Sequence, residues 1–163
     1  MDGDGRPTAR TVRGDHGPVT RDEAFALVEQ VTAVAAADPD SDVVWAGIYE
    51  GRPGLRMRQM CREATTIWFT VGDHTIGFEA YLLPAPLHDA EEVYRHCLVR
   101  SYRSWPANIA IGPDGDLFAI GRIPLGALDA QRIDEAVAAV YQIVEMSFPA
   151  LLQLGYLPRE KSS

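Results

Sequence analysis

The sequence predicts an α+β fold in which helices pack on one face of an antiparallel sheet of about five strands, in the order α-β-β-β-α-β-β-α. Two observations support this prediction. Alternating apolar and polar residues occur in grouped runs joined by short turns rich in Gly, Asp and Pro, and three other stretches have apolar residues at helical spacing. Strands joined by tight turns pair antiparallel, and an amphipathic helix has to bury its apolar stripe against another layer.

A capping box predicts where the first helix begins. Thr20 is followed three residues later by Glu23, so each side chain can accept a hydrogen bond from a free backbone N–H of the other residue. Apolar residues then recur at helical spacing to about Ala37, and the Asp- and Pro-rich stretch 38–42 ends the helix.

Residues 43–83 are predicted to form the first block of strands. Val43–Tyr49 is a short apolar strand, 51–54 is a turn, 55–61 is an alternating strand, and 65–83 is a hairpin around the turn 72–74. Pro84 and Pro86 end the block because proline cannot donate to a strand ladder.

The rest of the chain predicts two helices around a second hairpin. Asp89 is expected to cap a helix that extends to about Ser104, and 108–111 and 117–123 flank a Gly- and Asp-rich turn. The last helix begins after Asp129 and continues to Gly155, with a kink expected at Pro149. The apolar stripe predicted for the second helix consists of Val93, Tyr94, Cys97 and Leu98.

Composition predicts one folded domain at residues 19–158, with a disordered arm at 1–18 and a disordered tail at 159–163. The arm has almost no apolar residues with which to offset the entropy of ordering. With a net charge of -8, the chain should repel phosphate backbones and anionic lipids, so neither nucleic acid nor membrane is expected as a partner. No secretory signal or segment apolar enough to span a bilayer is recognised, which predicts a cytoplasmic location.

No motif for catalysis, metal binding or nucleotide binding is found. The His and Cys residues lack the spacing of a zinc site, and there is no phosphate-binding loop and no GxSxG nucleophile elbow. The sequence therefore predicts no metal, no cofactor and no catalytic residues.

The hairpin at 65–83 places unusual residues on its second face. One face is an ordinary apolar core face, whereas the other carries Trp68, Glu79 and Tyr81. Three interpretations are open: a helix covers this face and makes the aromatic residues part of the core, another polypeptide binds it, or it is a surface with little function. Trp, Tyr and Arg are the residue types that concentrate binding energy at interfaces.

Arginines on the preceding strand extend this candidate surface. Arg56, Arg58 and Arg62 are predicted to share a strand face beside the aromatic residues. Such a surface can bind single-stranded nucleic acid, but the arginines can equally pair with carboxylates and cover aromatic rings with their stems. The predicted partner-binding residues are Arg56, Arg58, Trp68, Glu79 and Tyr81.

A homodimer is predicted through the second helix and the strand at 108–111. Tyr102, Trp105 and Ile109 are apolar groups that one small domain is not expected to bury completely.

Four short stretches resemble actinobacterial proteins of the YbjN family. They are TTIWFTV at 65–71, a Pro-Ala-Pro turn before a helix that bears Val-Tyr-Arg at 93–95, the stretch from 115–118 into 121–125, and Phe148 followed by 151–156. The resemblance covers about two thirds of the chain and implies the fold of type III secretion chaperones, no enzymatic activity, frequent homodimers and protein partners. The chain departs from the family pattern at 99–101 and at Pro149.

Together these observations predict a cytoplasmic, non-catalytic homodimer that binds a polypeptide partner. One alternative is a regulatory domain that senses a small ligand in a pocket, and another is an enzyme with an unrecognised site. A pocket with converging polar groups would favour either alternative, whereas a broad aromatic face would favour the protein-binding module.

Overall fold

The computed structural model describes residues 17–159, which form three α-helices and one six-stranded antiparallel sheet. The elements are α1 (Arg21–Ala37), β1 (Val43–Tyr49), β2 (Arg52–Arg58), β3 (Ala64–Val71), β4 (Thr75–Leu83), α2 (Ala90–Tyr102), β5 (Asn108–Ile111), β6 (Leu117–Pro124) and α3 (Ala130–Gly155). The predicted α+β class is confirmed, with six strands rather than about five. The arm predicted at 1–18 and the tail predicted at 159–163 lie outside the described residues, except for 17, 18 and 159.

The strands lie in the order β1-β2-β3-β4-β6-β5, and one face of this sheet is the core. Phe69 and Phe78 are paired across β3 and β4, and both are almost completely buried. The buried residues of α1 and α3 belong to the same cluster, so the helices cover this face, called the inner face below. Alternation within each strand then directs the intervening side chains to the opposite face.

The predicted capping box is present at the start of α1. The Glu23 N–H donates to Thr20 Oγ1 at 3.2 Å, and the Thr20 N–H donates to Glu23 Oε2 at 2.8 Å. Two backbone donors that have no partner within the helix are thereby satisfied, which fixes where the helix begins.

The turn between β1 and β2 comes earlier than predicted. Glu50 and Gly51 both have positive φ, at 48° and 74°, and Tyr49 pairs with Arg52. Two residues of positive φ between paired strands make the tight hairpin turn that matches strand twist. The prediction of a turn at 51–54 is therefore wrong, and Pro53 lies inside β2, opposite Ile48.

Helix α2 differs from its prediction at the start and along its stripe. Asp89 has φ 51° and no capping bond from its side chain; its carboxylate instead contacts His88 and Arg159. Val93 and Cys97 are buried as expected, but Leu98 is 70% exposed, so its assignment to the core is wrong. The helix ends at Tyr102, two residues before the predicted end.

Helix α3 continues through Pro149 to Gly155 and begins where predicted, with the Arg132 N–H donating to Asp129 Oδ1 at 2.8 Å. By length and composition alone α3 could cross a membrane, so the expectation that no segment qualifies is wrong. Within the described residues its buried side chains pack in the core beneath the sheet, as those of any core helix do.

Glu145 on α3 holds the connection between β2 and β3. Its Oε1 accepts hydrogen bonds from the Gln59 side chain at 2.7 Å and from the N–H groups of Met60 at 2.6 Å and Cys61 at 3.2 Å. Desolvation alone would raise the pKa of Glu145, but these donors outweigh it and lower that pKa. The helix layer is thus tied to the end of the strand pair.

Candidate functional site

The face of the sheet that points away from the helices, called the outer face below, carries the predicted partner-binding residues. Strand pairing aligns Trp68 with Gly54 and Glu79, and Thr66 with Arg56, so Trp68 and Tyr81 are diagonal neighbours as expected. The residues it brings together on one face are Arg56, Arg58, Trp68, Glu79 and Tyr81.

No helix covers the outer face within residues 17–159. Inner-face side chains such as Ile67 and Phe69 are fully buried, whereas Trp68 between them is only half-buried and Tyr81 is 47% exposed. The interpretation in which a helix buries Trp68 and Tyr81 is therefore wrong for this part of the chain. The aromatic residues lie at a surface.

Trp68 stands between two aromatic rings of the edge strand β1. Its ring centroid is 6.1 Å from that of Trp45, in an edge-to-face arrangement, and 5.9 Å from that of Tyr49. Edge-to-face contacts align the positive edge of one ring with the negative face of another and stabilise the pair. The three rings form one continuous aromatic surface over β1 and β3.

Glycines beneath two of these rings allow them to lie flat on the sheet. A Cβ atom on Gly54 would lie 2.5 Å from Trp68 Cε3, and one on Gly47 would lie 2.7 Å from Trp45 Cζ2. Contacts that short do not occur between real side chains, so both positions need a residue without a Cβ for the indoles to remain where they are. The aromatic surface therefore depends on the backbone under it as well as on the rings.

A second aromatic pair lies on β4 and β6. Tyr81 and Phe118 are paired across the strands, with ring centroids 5.7 Å apart and ring planes at 85°. Burial raises the pKa of the Tyr81 hydroxyl, and the carboxylate of Asp116 raises it further. The hydroxyl is therefore neutral at physiological pH and can donate a hydrogen bond to a bound group.

Charged side chains surround the aromatic rings unevenly. Arg52 reaches across β3 and donates from its guanidinium to Glu79 Oε1 at 2.8 Å, which neutralises the acidic side chain of the group. The side chains of Arg56 and Arg122 are exposed and make no ion pair or hydrogen bond with any residue of 17–159, whereas the Arg58 guanidinium reaches the Ser41 carbonyl at 3.4 Å. Strand alternation therefore directs four arginines and one glutamate of the described strands to the outer face: Arg52, Arg56, Arg58, Arg122 and Glu79.

Two shallow depressions lie on either side of Glu79. One, of about 330 Å³, is bounded by Trp68, Tyr81 and Phe118. The other, of about 400 Å³, forms where Gly77 leaves space beside Arg122. The first combines three aromatic rings with the charged side chains of Arg62 and Glu79. The second has threonines, glycines and Arg122 around it, so the outer face offers two chemically different places for a side chain.

Arg62 does not lie on the strand face of Arg56 and Arg58, contrary to the prediction, although it lines the depression beside Trp68 and Tyr81. It lies in the connection between β2 and β3, where its guanidinium donates to the carbonyls of Tyr81 and Leu82, both at 2.8 Å, and lies 5.1 Å from the Phe148 ring centroid. Burial lowers the pKa of this guanidinium. Its role is to hold the end of β4.

The residues predicted to form a dimer interface are divided by the structure. Tyr102 and Trp105 are 92% and 79% exposed, but Ile109 is buried in the core of its own chain because β5 turns it toward the inner face. Ile109 is therefore not available to a partner. Leu98 and Val99 are exposed on α2 as well, which extends the apolar surface around Tyr102.

Within 17–159, no three His, Cys, Asp or Glu side chains lie close enough to hold a metal ion. The absence of a metal or cofactor requirement stays a prediction.

Several residues of the outer face are not predicted from the sequence. Trp45 and Tyr49 alternate with Gly47 along β1, a pattern of period two that places all three on one face, whereas the sequence predicts only a short apolar strand there. Arg52 was assigned to a turn. Phe118 and Arg122 lie on β6, and only the pairing of β6 with β4 places them beside Tyr81 and Gly77.

Comparison with known proteins gives relatives in mycobacteria. An uncharacterized protein of Mycobacterium tuberculosis is 33% identical over 87 residues, which is 53% of this chain and 48% of that protein, and the same values hold for one of Mycobacterium bovis. An uncharacterized protein of Mycobacterium leprae is 32% identical over 95 residues, 58% of this chain and 52% of that protein. The chain spans about half the length of these curated relatives. No protein-family model matches the sequence.

Proposed function

We propose that this chain is a non-catalytic, chaperone-like or regulatory module that binds a polypeptide partner on the outer face. The observation that carries the proposal is the group of five aromatic rings on a sheet face that no described helix covers: Trp45, Tyr49, Trp68, Tyr81 and Phe118. A second layer normally covers such a face, because exposed aromatic surface is costly in water. The resemblance to the YbjN family supports the same function, and a cytoplasmic location is part of the proposal.

The physical basis is the gain from covering rigid aromatic rings. Trp68 is already held by Trp45 and Tyr49, so it loses little conformational freedom when a ligand packs on it. An apolar side chain of the partner would displace water from the depression between Trp68 and Tyr81. Charged groups at the margin would orient the incoming chain, as they do at the rim of protein interfaces.

A regulatory domain that senses a small ligand is the second candidate. The depression beside Arg122 favours it, since Thr70, Glu79 and Arg122 place polar groups around a space of about 400 Å³. However, this depression is open to solvent along the sheet, whereas small-molecule sites usually enclose most of their ligand. The breadth of the aromatic surface therefore favours a polypeptide.

The proposal is tested by selecting short random peptides on the immobilised protein and measuring their affinity for variants. We expect Trp68→Ala to lower the affinity by about 2 kcal/mol or more, the usual scale for an interface hot spot. The matched control is Leu98→Ala, which removes an exposed apolar side chain from α2 on the helix side of the sheet. Peptides that bind Trp68→Ala as well as wild type, or that lose affinity only for Leu98→Ala, would refute the outer face as the binding site.

A further inference from the structure

The outer face is basic, although the chain as a whole is acidic. Its strand residues within 17–159 carry the four arginines and one glutamate named above, a net charge of +3, whereas the full chain has a net charge of -8. A protein with charges of both signs on its surface does not need to gather its basic residues on one face. The positive charge of the outer face is therefore a feature of this site.

The positive charge is also available to a ligand. Arg52 is occupied by Glu79, so the net charge comes from Arg56, Arg58 and Arg122. Among the residues that the structure describes, Arg56 and Arg122 have no partner, and the single contact of Arg58 is to a neutral carbonyl at 3.4 Å. An unpaired guanidinium beside aromatic rings can bind a carboxylate with paired hydrogen bonds.

We propose that the partner is an extended acidic segment with an apolar centre, whose carboxylates contact Arg122 on one side and Arg56 with Arg58 on the other. This inference rests on the proposed function and specifies the chemistry of the partner. The apolar centre would pack on Trp68 and in the depression between Trp68 and Tyr81.

The spacing of the arginines sets the length of the segment. Arg56 and Arg122 lie three strand spacings apart across the sheet and two side-chain rows apart along it, which places their Cα atoms roughly 20 Å apart. An extended chain advances about 3.3 Å per residue, so about six residues join the two arginines. The line between them passes over β3 and β4 beside Trp68 and Glu79. The Arg52–Glu79 pair is neutral and presents no repulsion at that point.

A single-stranded nucleic acid is the other anionic ligand that aromatic and basic residues can bind, and the structure favours it less. A phosphate backbone carries a charge at every nucleotide and is usually held by a continuous basic groove. Here the carboxylate of Glu79 lies between the arginines and lines both depressions, and the rest of the molecule is acidic. Charge at two ends of an apolar centre matches a peptide.

The test uses fluorescent peptides and the full-length protein. The first peptide has Asp and Glu at both ends of a central run of Leu and Phe, the second has Lys at every acidic position, and the third has Ser there. We expect the acidic peptide to bind at least about tenfold more tightly than the other two, with an affinity that falls as salt is added. Arg56→Glu and Arg122→Glu should each weaken it by about tenfold, because repulsion replaces attraction. Arg103→Glu, an exposed arginine at the end of α2, should leave the affinity unchanged.

The possible outcomes distinguish this inference from the proposed function. If the Ser or Lys peptide binds as tightly as the acidic one, or if both charge reversals are silent while Trp68→Ala still abolishes binding, the acidic partner is wrong and the binding face stands. Failure of the acidic peptide while library peptides bind leads to the same conclusion. If no library peptide binds either, the proposed function fails. An oligothymidine that binds more tightly than the acidic peptide, and loses affinity in Arg122→Glu, identifies nucleic acid as the occupant and overturns the inference.

Discussion

The two faces of the sheet are built from the same strands and use different aromatic residues. Phe69 and Phe78 fill the inner face, which the helices cover, and both are almost completely buried. Trp45, Trp68 and Tyr81 lie on the outer face, where one edge of each ring can remain in water. Trp and Tyr combine a large apolar body with a polar group and so suit a position that is partly buried and partly in contact with water. The choice of ring thus distinguishes a face that folding covers from one that remains at the surface.

The difference between the faces is tested most strongly by truncating neighbouring rings. Phe69→Ala should lower the free energy of unfolding by about 3–5 kcal/mol, because it leaves a cavity in the core. Trp68→Ala should cost only about 1–2 kcal/mol, since it removes two ring contacts from a position that stays partly exposed. Chemical denaturation with urea measures both. A loss of about 3 kcal/mol or more for Trp68→Ala would place it in the core and contradict the proposed surface.

Substituting alanine for a glycine beneath an aromatic ring tests how tightly the ring is packed on each face of the sheet. A Cβ on Gly121 would lie 2.1 Å from Phe78 Cζ and 2.6 Å from the Pro106 carbonyl, so Gly121→Ala has to move buried groups and should cost about 2–3 kcal/mol. Gly54→Ala can be relieved by moving the Trp68 ring outward and should cost about 1 kcal/mol while weakening peptide binding.

Gly126→Ala is the matched control for both glycine variants. No atom lies within 4 Å of the position that its Cβ would take, so the unfolding free energy should change little. Equal losses for Gly121→Ala and Gly54→Ala would show that the outer rings are as rigidly packed as the inner ones.

Glu145, at the edge of the inner face, should give a smaller, pH-dependent effect on the free energy of unfolding. The pKa of Glu145 is lowered in the folded state from an ordinary value of 4.5, so its stabilising contribution is present above that value. It is lost as the pH falls through the lower folded pKa. Glu145→Gln should lower the free energy of unfolding by about 1 kcal/mol at neutral pH. Hydrogen bonds to a carboxylate are stronger than those to an amide, but solvent screening reduces the difference at this partly exposed position. The variant should also lose less stability than the wild type on acidification.

Denaturation of Glu145→Gln across an acid pH series checks this expectation. The control is Glu135→Gln, whose carboxylate pairs with Arg132 on the surface of α3 and should change the free energy of unfolding by less than about 0.5 kcal/mol. A wild-type pH dependence that survives in Glu145→Gln would assign the acid sensitivity to other carboxylates.

The smallest effect on stability is expected on the helix side, at α2. Tyr102 and Trp105 are almost fully exposed, so replacing both with Ser should change the unfolding free energy of the monomer by less than about 0.5 kcal/mol. If α2 forms the predicted dimer, the double variant should instead abolish association. Light scattering at a protein concentration of tens of micromolar, where a weak dimer should be detectable, measures this association. A wild-type protein that is only monomeric there would contradict the dimer prediction.

Local patterns predicted most of the fold. The Thr20 and Glu23 capping box, the hairpin at 72–74 and the Asp129 cap each depend on a few neighbouring residues, and all three are present. The Glu50–Gly51 turn was missed because Glu is not a usual residue at positive φ, and the following Pro and Gly drew the predicted turn forward. That shift of two residues hid Arg52, which the structure places beside Glu79.

The candidate site could be predicted only in part, because most of it depends on which strands are neighbours. Trp68, Glu79 and Tyr81 belong to one hairpin, so alternation alone placed them on one face. Phe118 and Arg122 join them through the pairing of β4 with β6, which connects residues about 40 positions apart and has no local signal. Ile109 was misplaced for the same reason, since only its pairing with Ala119 shows which face it occupies.

The flat position of Trp68 over Gly54 has a consequence for how this surface can change during evolution. The ring remains in place because a side chain is missing beneath it, so the surface is encoded partly by a residue that no ligand would touch. A descendant could retain every aromatic residue and every arginine and still lose the surface through one added methyl group. A comparison of homologues that scores only the exposed side chains would then report the site as intact, and Gly54 is the position to inspect first.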